Sequence, residues 1–419
     1  MFTSLTKSRR PRDLLLVFQI LCIVLLFFFY RTNSNFDAAI AYKAIGLIAI
    51  IYVSNFTLGK ISSGDNYIFL IISMLLTIGI VMEFRIKPSY GILQMVWSIA
   101  GILLFYATYF FIKYFPKLDK FGNLYVLLAA IFTLTTLIFG TTRHGARNWL
   151  QISSSIFVQP SELSKILIMF ILASFYANYN KYKNLKYAPF IIMGIIYFFI
   201  LCMFIQKDLG TAVLFLAMYL AIQFVYEKNR KMIILNLVLI AIGAFLGFKL
   251  FTHVQTRVHI WLDPWSDAYS TGRQIVQSFF AIAEGGFFGS GIGMGYPNLI
   301  PYSYSDFIFP LICEEMGTAM GIAIIMLYMI LVYRGIKIAL DQEYTFYRIL
   351  ALCVSVLFCC QAFVHIGGVT KLIPLTGLTL PFISYGGSSM LSSFICLGIL
   401  QVTSEDLSFK YEGGNSNES

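Results

Sequence analysis

The sequence predicts an all-α, polytopic membrane protein with about twelve transmembrane helices. Among its 419 residues, 58% are hydrophobic and only 12% are charged, whereas a soluble domain carries roughly 25% charged residues. Apolar runs close to the ~20 residues that cross a bilayer as a helix recur along the whole chain. The alternating pattern of an outer-membrane barrel is absent, so we expect helical spans throughout.

The apolar runs follow one another along the chain with one long interruption. The first run comes after the basic stretch KSRRPR, as in a signal peptide, but it is long and no small-residue cleavage site follows it. We therefore expect a retained helix. The predicted spans are residues 13–30, 38–58, 67–84, 91–114, 124–139, 161–178, 187–205, 209–226, 232–252, 307–333, 346–366 and 383–403.

Basic residues set the expected orientation, because cytoplasmic loops carry an excess of Lys and Arg. Such clusters lie at the N-terminus and after the fourth, sixth, eighth and tenth spans, so we expect both termini in the cytoplasm. The net charge of +10 belongs mostly to these loops and does not indicate nucleic-acid binding. On this topology the segments 141–159, 253–306 and 367–382 lie outside the cytoplasmic membrane, and residues 404–419 form a cytoplasmic tail.

The segment 253–306 is a polar loop far longer than the few residues that usually connect two helices. Asp306 closes this loop at the start of the next span, where acidic groups usually mark function. Partial burial would raise the pKa of Asp306 and make it a better proton acceptor. A second interpretation is a helix N-cap, because Ser305 or Asp306 before an apolar run is good capping chemistry.

Glu162 and Lys165, in the sequence QPSELSK, are three residues apart and therefore share one helical face. Pro160 and Ser161 favour a helix start immediately before them. One interpretation is a structural ion pair. The other is a charge pair that binds or orients a polar substrate at the outer leaflet.

Three further segments carry candidate binding residues. Arg143 and Arg147 suit phosphate or pyrophosphate, and Trp149 beside them can stack on a sugar or belong to an interfacial aromatic belt. Lys371 lies in a Pro- and Gly-interrupted segment, which we expect to be broken or re-entrant and to face an anionic ligand. We interpret Asp208, in the turn QKDLGT, as structural.

The glycine-rich run GGFFGSGIGMG matches a dinucleotide loop only superficially, because no βαβ unit surrounds it. We expect a flexible or close-packed outer loop, with a backbone nest for pyrophosphate as the alternative. The seven cysteines and four histidines have no metal-binding spacing. The sequence therefore predicts no metal site made by the protein alone.

In their order along the chain, these motifs resemble the SEDS family (shape, elongation, division and sporulation). The motifs are GARNWL, QPSELSK, QKDLGT, the loop from DPW to GSGIG, SDFIFPLICEEMG and PLTGLTLPFISYGGSS. The family usually has QPDLG where this chain has QKDLG. The resemblance implies a ten-helix core over residues 67–403 and leaves residues 1–66, with two spans, as an N-terminal extension.

The resemblance implies a peptidoglycan glycosyltransferase that acts on lipid II outside the bacterial cytoplasmic membrane, in elongation, division or sporulation. It also implies a class B penicillin-binding protein as partner. It makes Asp306 the essential aspartate and makes Glu162 and Lys165 functionally important, and the tryptophan of the family's GA..W motif corresponds to Trp149.

Taking the residues together with this resemblance, we hypothesise that Asp306 is the catalytic base. Lys165, Arg143, Arg147, or a divalent cation such as Mg²⁺ or Mn²⁺, would stabilise the leaving pyrophosphate.

Two alternative functions use the same residues differently. A lipid II flippase needs polar contacts at both faces and through the midplane, whereas the notable polar motifs here are predicted outside. A structural partner that only recruits a transpeptidase leaves Asp306, Glu162 and Lys165 without a task.

Overall fold

The structure, a computed structural model, describes residues 9–32, 38–115, 117–143, 146–151, 153, 157–182, 187–227 and 229–406. In chain order its helices are α1 (Arg9–Thr32), α2 (Ala38–Ile61), α3 (Tyr67–Ile86), α4 (Pro88–Tyr114), α5 (Gly122–Phe139), α6 (Pro160–Ala177), α7 (Tyr179–Tyr182), α8 (Ala188–Ile205), α9 (Leu209–Tyr226), α10 (Arg230–Leu250), α11 (Thr252–Leu262), α12 (Arg273–Gly285), α13 (Ile308–Asp341), α14 (Thr345–Val369) and α15 (Gly387–Thr403). Three short strands, β1 (Thr141–Arg143), β2 (Ala146–Gln151) and β3 (Phe157–Val158), form an antiparallel sheet in that order.

Within the described residues, ten helices are long and apolar enough to cross a membrane. They coincide with ten of the predicted spans, from α2 to α14. The remaining two predicted spans correspond to α1 and to α15, which is a shorter apolar helix. The all-α, multi-pass membrane fold is thus confirmed, and the count of twelve spans stays a prediction.

The helices pack into a bundle whose apolar side chains form one continuous buried cluster. Helix α15 lies along α4, α13 lies along α14, and α14 also contacts α6 and α9. Small residues allow the closest approach: a Cβ atom built on Gly101 of α4 would lie 2.1 Å from the Phe394 ring of α15. Any larger residue at position 101 would force these two helices apart.

The two N-terminal helices attach to the bundle by buried hydrogen bonds. The Gln19 amide donates to Thr77 Oγ1 at 3.1 Å, and the Asn55 amide donates to Ser73 Oγ at 3.2 Å. Away from water, side-chain partners of this kind satisfy polar groups that would otherwise be costly. Helices α1 and α2 therefore pack on α3, while the division of the chain at residue 66 stays a prediction.

The polar connecting segments meet at one end of the bundle. Asn148 of the β-sheet segment binds Asp208, Arg257 binds the carbonyls of residues 375 and 376, and Tyr385 N donates to Tyr304 O. These are the segments predicted to lie on the outer side, so we call this end the outer end. The sheet within segment 141–159 was not predicted, because strands of two to six residues carry no clear alternation.

The loop 253–306 is largely ordered into α11, α12 and the glycine-rich run, which packs against a break in α13. Gly317 has non-helical backbone angles (φ 84°, ψ 162°), and the run supplies partners for the groups that this break releases. Ser290 N donates to Glu314 O at 2.9 Å, and Thr318 N donates to Gly286 O at 3.0 Å. Gly289 (φ 86°) approaches so closely that a Cβ would lie 2.4 Å from Glu315 O, which explains glycine there.

Candidate active site

Asp306 lies in a compact turn that enters α13 at the outer end. The carbonyl of Tyr302 accepts hydrogen bonds from Ser305 N at 3.0 Å and Phe307 N at 3.2 Å. The N-cap of α13 is Phe307, and no side chain makes a capping hydrogen bond there. The helix-cap interpretation of Asp306 is therefore wrong, and its half-buried carboxyl group is available for another role.

The environment of Asp306 suits a general base. Burial raises its pKa to about 6, and a hydrogen bond with the Ser305 side chain and the charge of Arg257 act in the opposite direction. A carboxylate with this pKa is ionised at neutral pH yet is a stronger proton acceptor than an ordinary aspartate.

Arg257, on α11, is the cation next to Asp306. Its Nη1 atom donates to Leu375 O at 3.0 Å and to Thr376 O at 2.8 Å. Burial lowers the pKa of Arg257, whereas the carboxylates of Asp306 and Asp208 raise it. An arginine fork can bind carbonyls and face a carboxylate together, so Arg257 joins the base to the segment 371–386.

Gly377 lies where Asp306 and Arg257 converge. A Cβ atom on Gly377 would be 3.5 Å from Asp306 Oδ2 and 4.0 Å from Arg257 Nη2, and the residue has a φ of 76°. A side chain there would be strained and would contact both groups. Glycine thus keeps the space beside the carboxylate open.

The segment 371–386 is non-helical, as the sequence predicted for a broken segment. Side chains from the surrounding helices bind its backbone, which is the condition for irregular chain inside a membrane protein. His365 Nδ1 lies 2.7 Å from Leu378 O, and the Gln94 amide donates to Ser384 O at 3.0 Å. Glu83, Trp261, Tyr328 and Gln361 bind four further backbone groups of the segment. The wall beside Asp306 is therefore fixed by contacts from several helices.

Glu162 and Lys165 form a buried ion pair on α6. Lys165 Nζ lies 2.7 Å from Glu162 Oε2, and the Ser392 hydroxyl of α15 donates to the same oxygen. One turn earlier, Gln159 N donates to Ser388 Oγ at 3.3 Å. The pair thus adjoins the start of α15, where the segment 371–386 ends.

Asp208 links this region to Arg257. It caps α9 through Thr211 N at 3.1 Å and also accepts from Asn148 at 2.8 Å and Ser161 at 3.3 Å. Gly210, two residues on, packs directly on Leu378 of the broken segment. Asp208 is therefore structural, as predicted: it binds the start of α6 through Ser161, and its charge acts on Arg257.

The other predicted binding residues have mainly structural contacts. The Arg147 guanidinium donates to Gly140 O at 2.9 Å and Ile138 O at 3.1 Å, so it caps the C-terminal end of α5. Half-buried Trp149 pairs with Thr141 across β1 and β2. Arg143 lies in β1, but its side chain is outside the described residues.

Lys371 lies just beyond the end of α14. It adopts the left-handed conformation (φ 62°), and its carbonyl accepts from Trp261 Nε1 at 3.1 Å. A contact of Lys371, Arg143, Arg147 or Trp149 with substrate stays a prediction.

Glu314 and Glu315 hold the glycine-rich run. Glu315 lies 3.0 Å from Arg85 Nε and accepts from Gly293 N at 2.9 Å, and Glu314 accepts from Tyr296 N at 2.8 Å. The N–H groups of the run thus bind carboxylates of the protein itself. Of the structures expected from the sequence, the run adopts the close-packed loop. Acidic residues inside a membrane span are unusual, so Glu314 and Glu315 were recognisable in the sequence, but their contact with the glycine-rich run was not.

Among the residues described, no group of three His, Cys, Asp or Glu side chains could hold a metal ion. Mg²⁺ is usually held by one or two carboxylates together with substrate phosphates. Asp306 has the donor chemistry for such a shared site, whereas Glu162 and Asp208 already have cationic or N–H and O–H partners. A divalent cation stays a prediction, and no step below depends on it.

Fold and site together define a multi-pass membrane protein with a carboxylate–arginine centre at one end of its helical bundle. A family described as cell cycle protein, grouping FtsW, RodA and SpoVE, matches residues 67–408. The chain belongs to this family.

Individual relatives agree with this assignment. The peptidoglycan glycosyltransferase RodA of Mycobacterium tuberculosis is 34% identical over 324 residues, which cover 73% of this chain and 68% of that protein. Stage V sporulation protein E of Bacillus subtilis is 30% identical over 361 residues, covering 81% of this chain and 97% of that protein.

Solved structures share the fold. A chain from a peptidoglycan synthase complex, described for its coordination of polymerization and crosslinking, aligns with a TM-score of 0.69 at 21% identity, covering 84% of this chain and 99% of that chain. The rod shape determining protein RodA of Thermus thermophilus aligns with a TM-score of 0.58 at 20% identity, covering 81% and 97%.

Proposed function

We propose that this protein is a peptidoglycan glycosyltransferase that joins lipid II disaccharide units into β-1,4 glycan strands. Its relatives RodA and FtsW carry the name peptidoglycan glycosyltransferase. The observation that carries the assignment of the site is the convergence of Asp306, Arg257 and Gly377 at the outer end. The reaction takes place at the outer face of the bacterial cytoplasmic membrane, with both termini in the cytoplasm.

The reaction needs one base and no protein nucleophile. The carboxylate of Asp306 removes the proton from the 4-hydroxyl of the GlcNAc unit of one lipid II molecule. That oxygen attacks the anomeric carbon of the terminal MurNAc unit of the growing chain, and the carbon–oxygen bond to pyrophosphate breaks. Undecaprenyl pyrophosphate leaves with the electron pair. A single displacement on an α-linked donor inverts the centre and gives the β-1,4 bond.

Charge at the leaving group is the second requirement. Arg257 keeps Asp306 ionised and fixes the broken segment, and the buried Lys165–Glu162 pair supplies a held ammonium group near the start of α15. Arg143, Arg147 and Lys371 are further predicted cations at this end. If a divalent cation binds, it supplies Lewis-acid stabilisation of the pyrophosphate oxygens.

The partner in this proposal is a class B penicillin-binding protein, a transpeptidase that crosslinks the new strands. The fold relative from a complex for polymerization and crosslinking supports this pairing. The chain would then polymerise glycan within such a complex, in elongation, division or sporulation.

The test is polymerisation of purified lipid II by the purified protein with a class B partner, with the glycan products resolved by length. Asp306→Ala and Asp306→Asn should retain the fold and make no glycan. Asp263→Asn is the matched control, because it changes an exposed carboxylate of the same outer loop. Glycan from both Asp306 variants would remove Asp306 as the base. A flippase would be favoured by two results together: the wild type makes no glycan with its partner and divalent cations, and it transports lipid II across vesicle membranes.

A further inference from the structure

Four tyrosines from three distant parts of the chain meet beside the Asp306 turn. Ring centroids lie 4.9 Å apart for Tyr90 and Tyr304, 5.0 Å for Tyr90 and Tyr385, 6.0 Å for Tyr304 and Tyr385, and 6.3 Å for Tyr302 and Tyr304. We call these four residues the tyrosine platform. Tyr90 lies in the first turn of α4, Tyr302 and Tyr304 lie in the turn before α13, and Tyr385 lies near the end of the broken segment.

The backbone joins the platform to the turn that carries the base. Tyr385 N donates to Tyr304 O at 2.9 Å, and the Ser384 hydroxyl donates to Ser305 O at 2.7 Å. Tyr302 has a positive φ of 58°, which residues with a side chain adopt only rarely. Only Ser305 separates Tyr304 from Asp306, so their Cα atoms are no more than about 7.5 Å apart. The rings and the carboxylate therefore lie close together, in segments that are joined by hydrogen bonds.

An interfacial aromatic belt is the simpler explanation for tyrosines at the end of a bundle. Belt residues anchor a helix individually, with the ring among lipid headgroups. The platform residues instead pack on one another and are half-buried, while Tyr302 keeps 38% of its surface exposed. Mutual packing next to a catalytic carboxylate is not required for anchoring, and it creates an aromatic surface beside the reacting atoms.

Such a surface has the chemistry of a sugar-binding site. A pyranose ring presents C–H groups on its faces, which pack on the electron-rich face of an aromatic ring, and a phenol hydroxyl can bond to sugar hydroxyls. The Lys87 ammonium lies 5.4 Å from the centroid of the Tyr90 ring, so a cation borders the platform and can meet a carboxylate of the stem peptide.

We propose that the tyrosine platform is a saccharide subsite that holds sugar units of the growing glycan strand next to Asp306. This proposal rests on the proposed glycosyltransferase function. Lipid II and the growing strand are both anchored in the membrane by undecaprenyl pyrophosphate, whereas the sugars of the strand lie outside the membrane and need contacts there. Retention of the strand between additions would then depend on the platform, and the length of the product would report it.

The test measures strand length and binding separately. The variants are Tyr90→Leu, Tyr302→Leu and Tyr304→Leu, each paired with the corresponding Phe substitution, which keeps the ring. Tyr269→Leu is the matched control, because Tyr269 lies in the same outer loop and is 98% exposed. Binding uses a soluble, lipid-free GlcNAc–MurNAc tetrasaccharide bearing stem peptides, followed by saturation-transfer NMR with the detergent-solubilised protein.

The Leu variants should weaken tetrasaccharide binding about five- to tenfold, the scale of a lost aromatic contact, and should shorten the glycan. The Phe variants and Tyr269→Leu should resemble the wild type. Wild-type strand length and binding in the Leu variants would overturn the subsite. Tyr302→Leu decides the matter if the other variants unfold, because Tyr302 is the most exposed member of the platform.

The two proposals fail in different ways. A wild-type protein that binds the tetrasaccharide through the platform but makes no glycan with its partner would contradict the glycosyltransferase function and leave the subsite standing. A wild-type protein that makes glycan but does not bind the tetrasaccharide would contradict the subsite alone. If the Leu variants have lower thermal stability but unchanged tetrasaccharide binding, the tyrosine platform is a structural element and not a sugar-binding site.

Discussion

Lys165 Nζ lies 2.7 Å from Glu162 Oε2, with the two side chains only 2% and 7% exposed. A buried ion pair is weak evidence for stability, because desolvation offsets most of the attraction, yet removal of one partner leaves an uncompensated charge. The Ser392 hydroxyl adds a third member from α15. The pair can be structural or functional, and paired substitutions separate the two roles.

Lys165→Met should lower the free energy of unfolding by about 3–5 kcal/mol, because Glu162 is left buried without its cation. The double variant Glu162→Gln, Lys165→Met should recover most of that loss. Glycan synthesis should stay absent in both, because in the proposed reaction the Lys165 ammonium stabilises the leaving pyrophosphate. Thermal unfolding in detergent and lipid II polymerisation provide the two readouts. A double variant that polymerises at the wild-type rate would make the pair purely structural.

The pH dependence of polymerisation should follow Asp306. The carboxylate must be ionised to accept a proton, and its pKa of about 6 predicts that kcat/KM falls about tenfold per pH unit below that value. Arg257 opposes the effect of burial, so Arg257→Gln should raise the pKa and move the acidic limb to higher pH. Arg273→Gln, in the same outer loop, is the control. An acidic limb that stays in place in Arg257→Gln would contradict this coupling.

The Arg85–Glu315 ion pair should control the order of the glycine-rich run. Arg85 also donates to Gly293 O at 2.8 Å and Gly295 O at 2.9 Å. Arg85→Met should therefore speed amide hydrogen exchange over residues 289–296 and lower stability by about 3–5 kcal/mol. Glu315→Gln keeps an acceptor for Gly293 N and should have a smaller effect. Hydrogen exchange followed by mass spectrometry measures the exchange rates of both variants. Unchanged exchange in Arg85→Met would show that Arg85 does not order the glycine-rich run.

The proposed orientation can be tested by labelling from one side of the membrane. In a chain whose seven cysteines are replaced, Ser270→Cys should react with an impermeant maleimide added to intact cells. Glu343→Cys, an exposed position between α13 and α14, should react only after the membrane is opened. Labelling of position 343 but not 270 in intact cells would invert the topology.

The spans could be predicted because a lipid-facing helix needs a continuous apolar run, and such a run is local in sequence. Asp306 was recognisable for a similar reason, since a carboxylate at the entry to such a run is costly. Arg257 was missed. Its partners Leu375 and Thr376 are 118 and 119 residues away, and within HVQTRVHIWL it looks like any polar loop residue.

The roles of the polar segments around the site were harder to predict. Arg147 suits a phosphate by residue type, but the end of α5 presents carbonyls that bind it. Glu314 and Glu315 suit a functional site inside a span, but the glycine-rich run supplies N–H groups to them. In both cases backbone groups are among the partners, and no residue type in the sequence marks a backbone group as a partner.

The broken segment 371–386 also determines when the site can form during biosynthesis. Asp306 leaves the ribosome well before Gly377, Ser384 and Tyr385, which complete its surroundings. At 5–20 residues per second, the roughly 80 intervening residues take about 4–16 s to synthesise. Until the segment 371–386 and α15 have been synthesised, the nascent chain carries the Asp306 carboxylate without the residues that surround it. Premature termination after Asp306 but before residue 377 would thus produce a chain that carries Asp306 but lacks the residues that complete its surroundings.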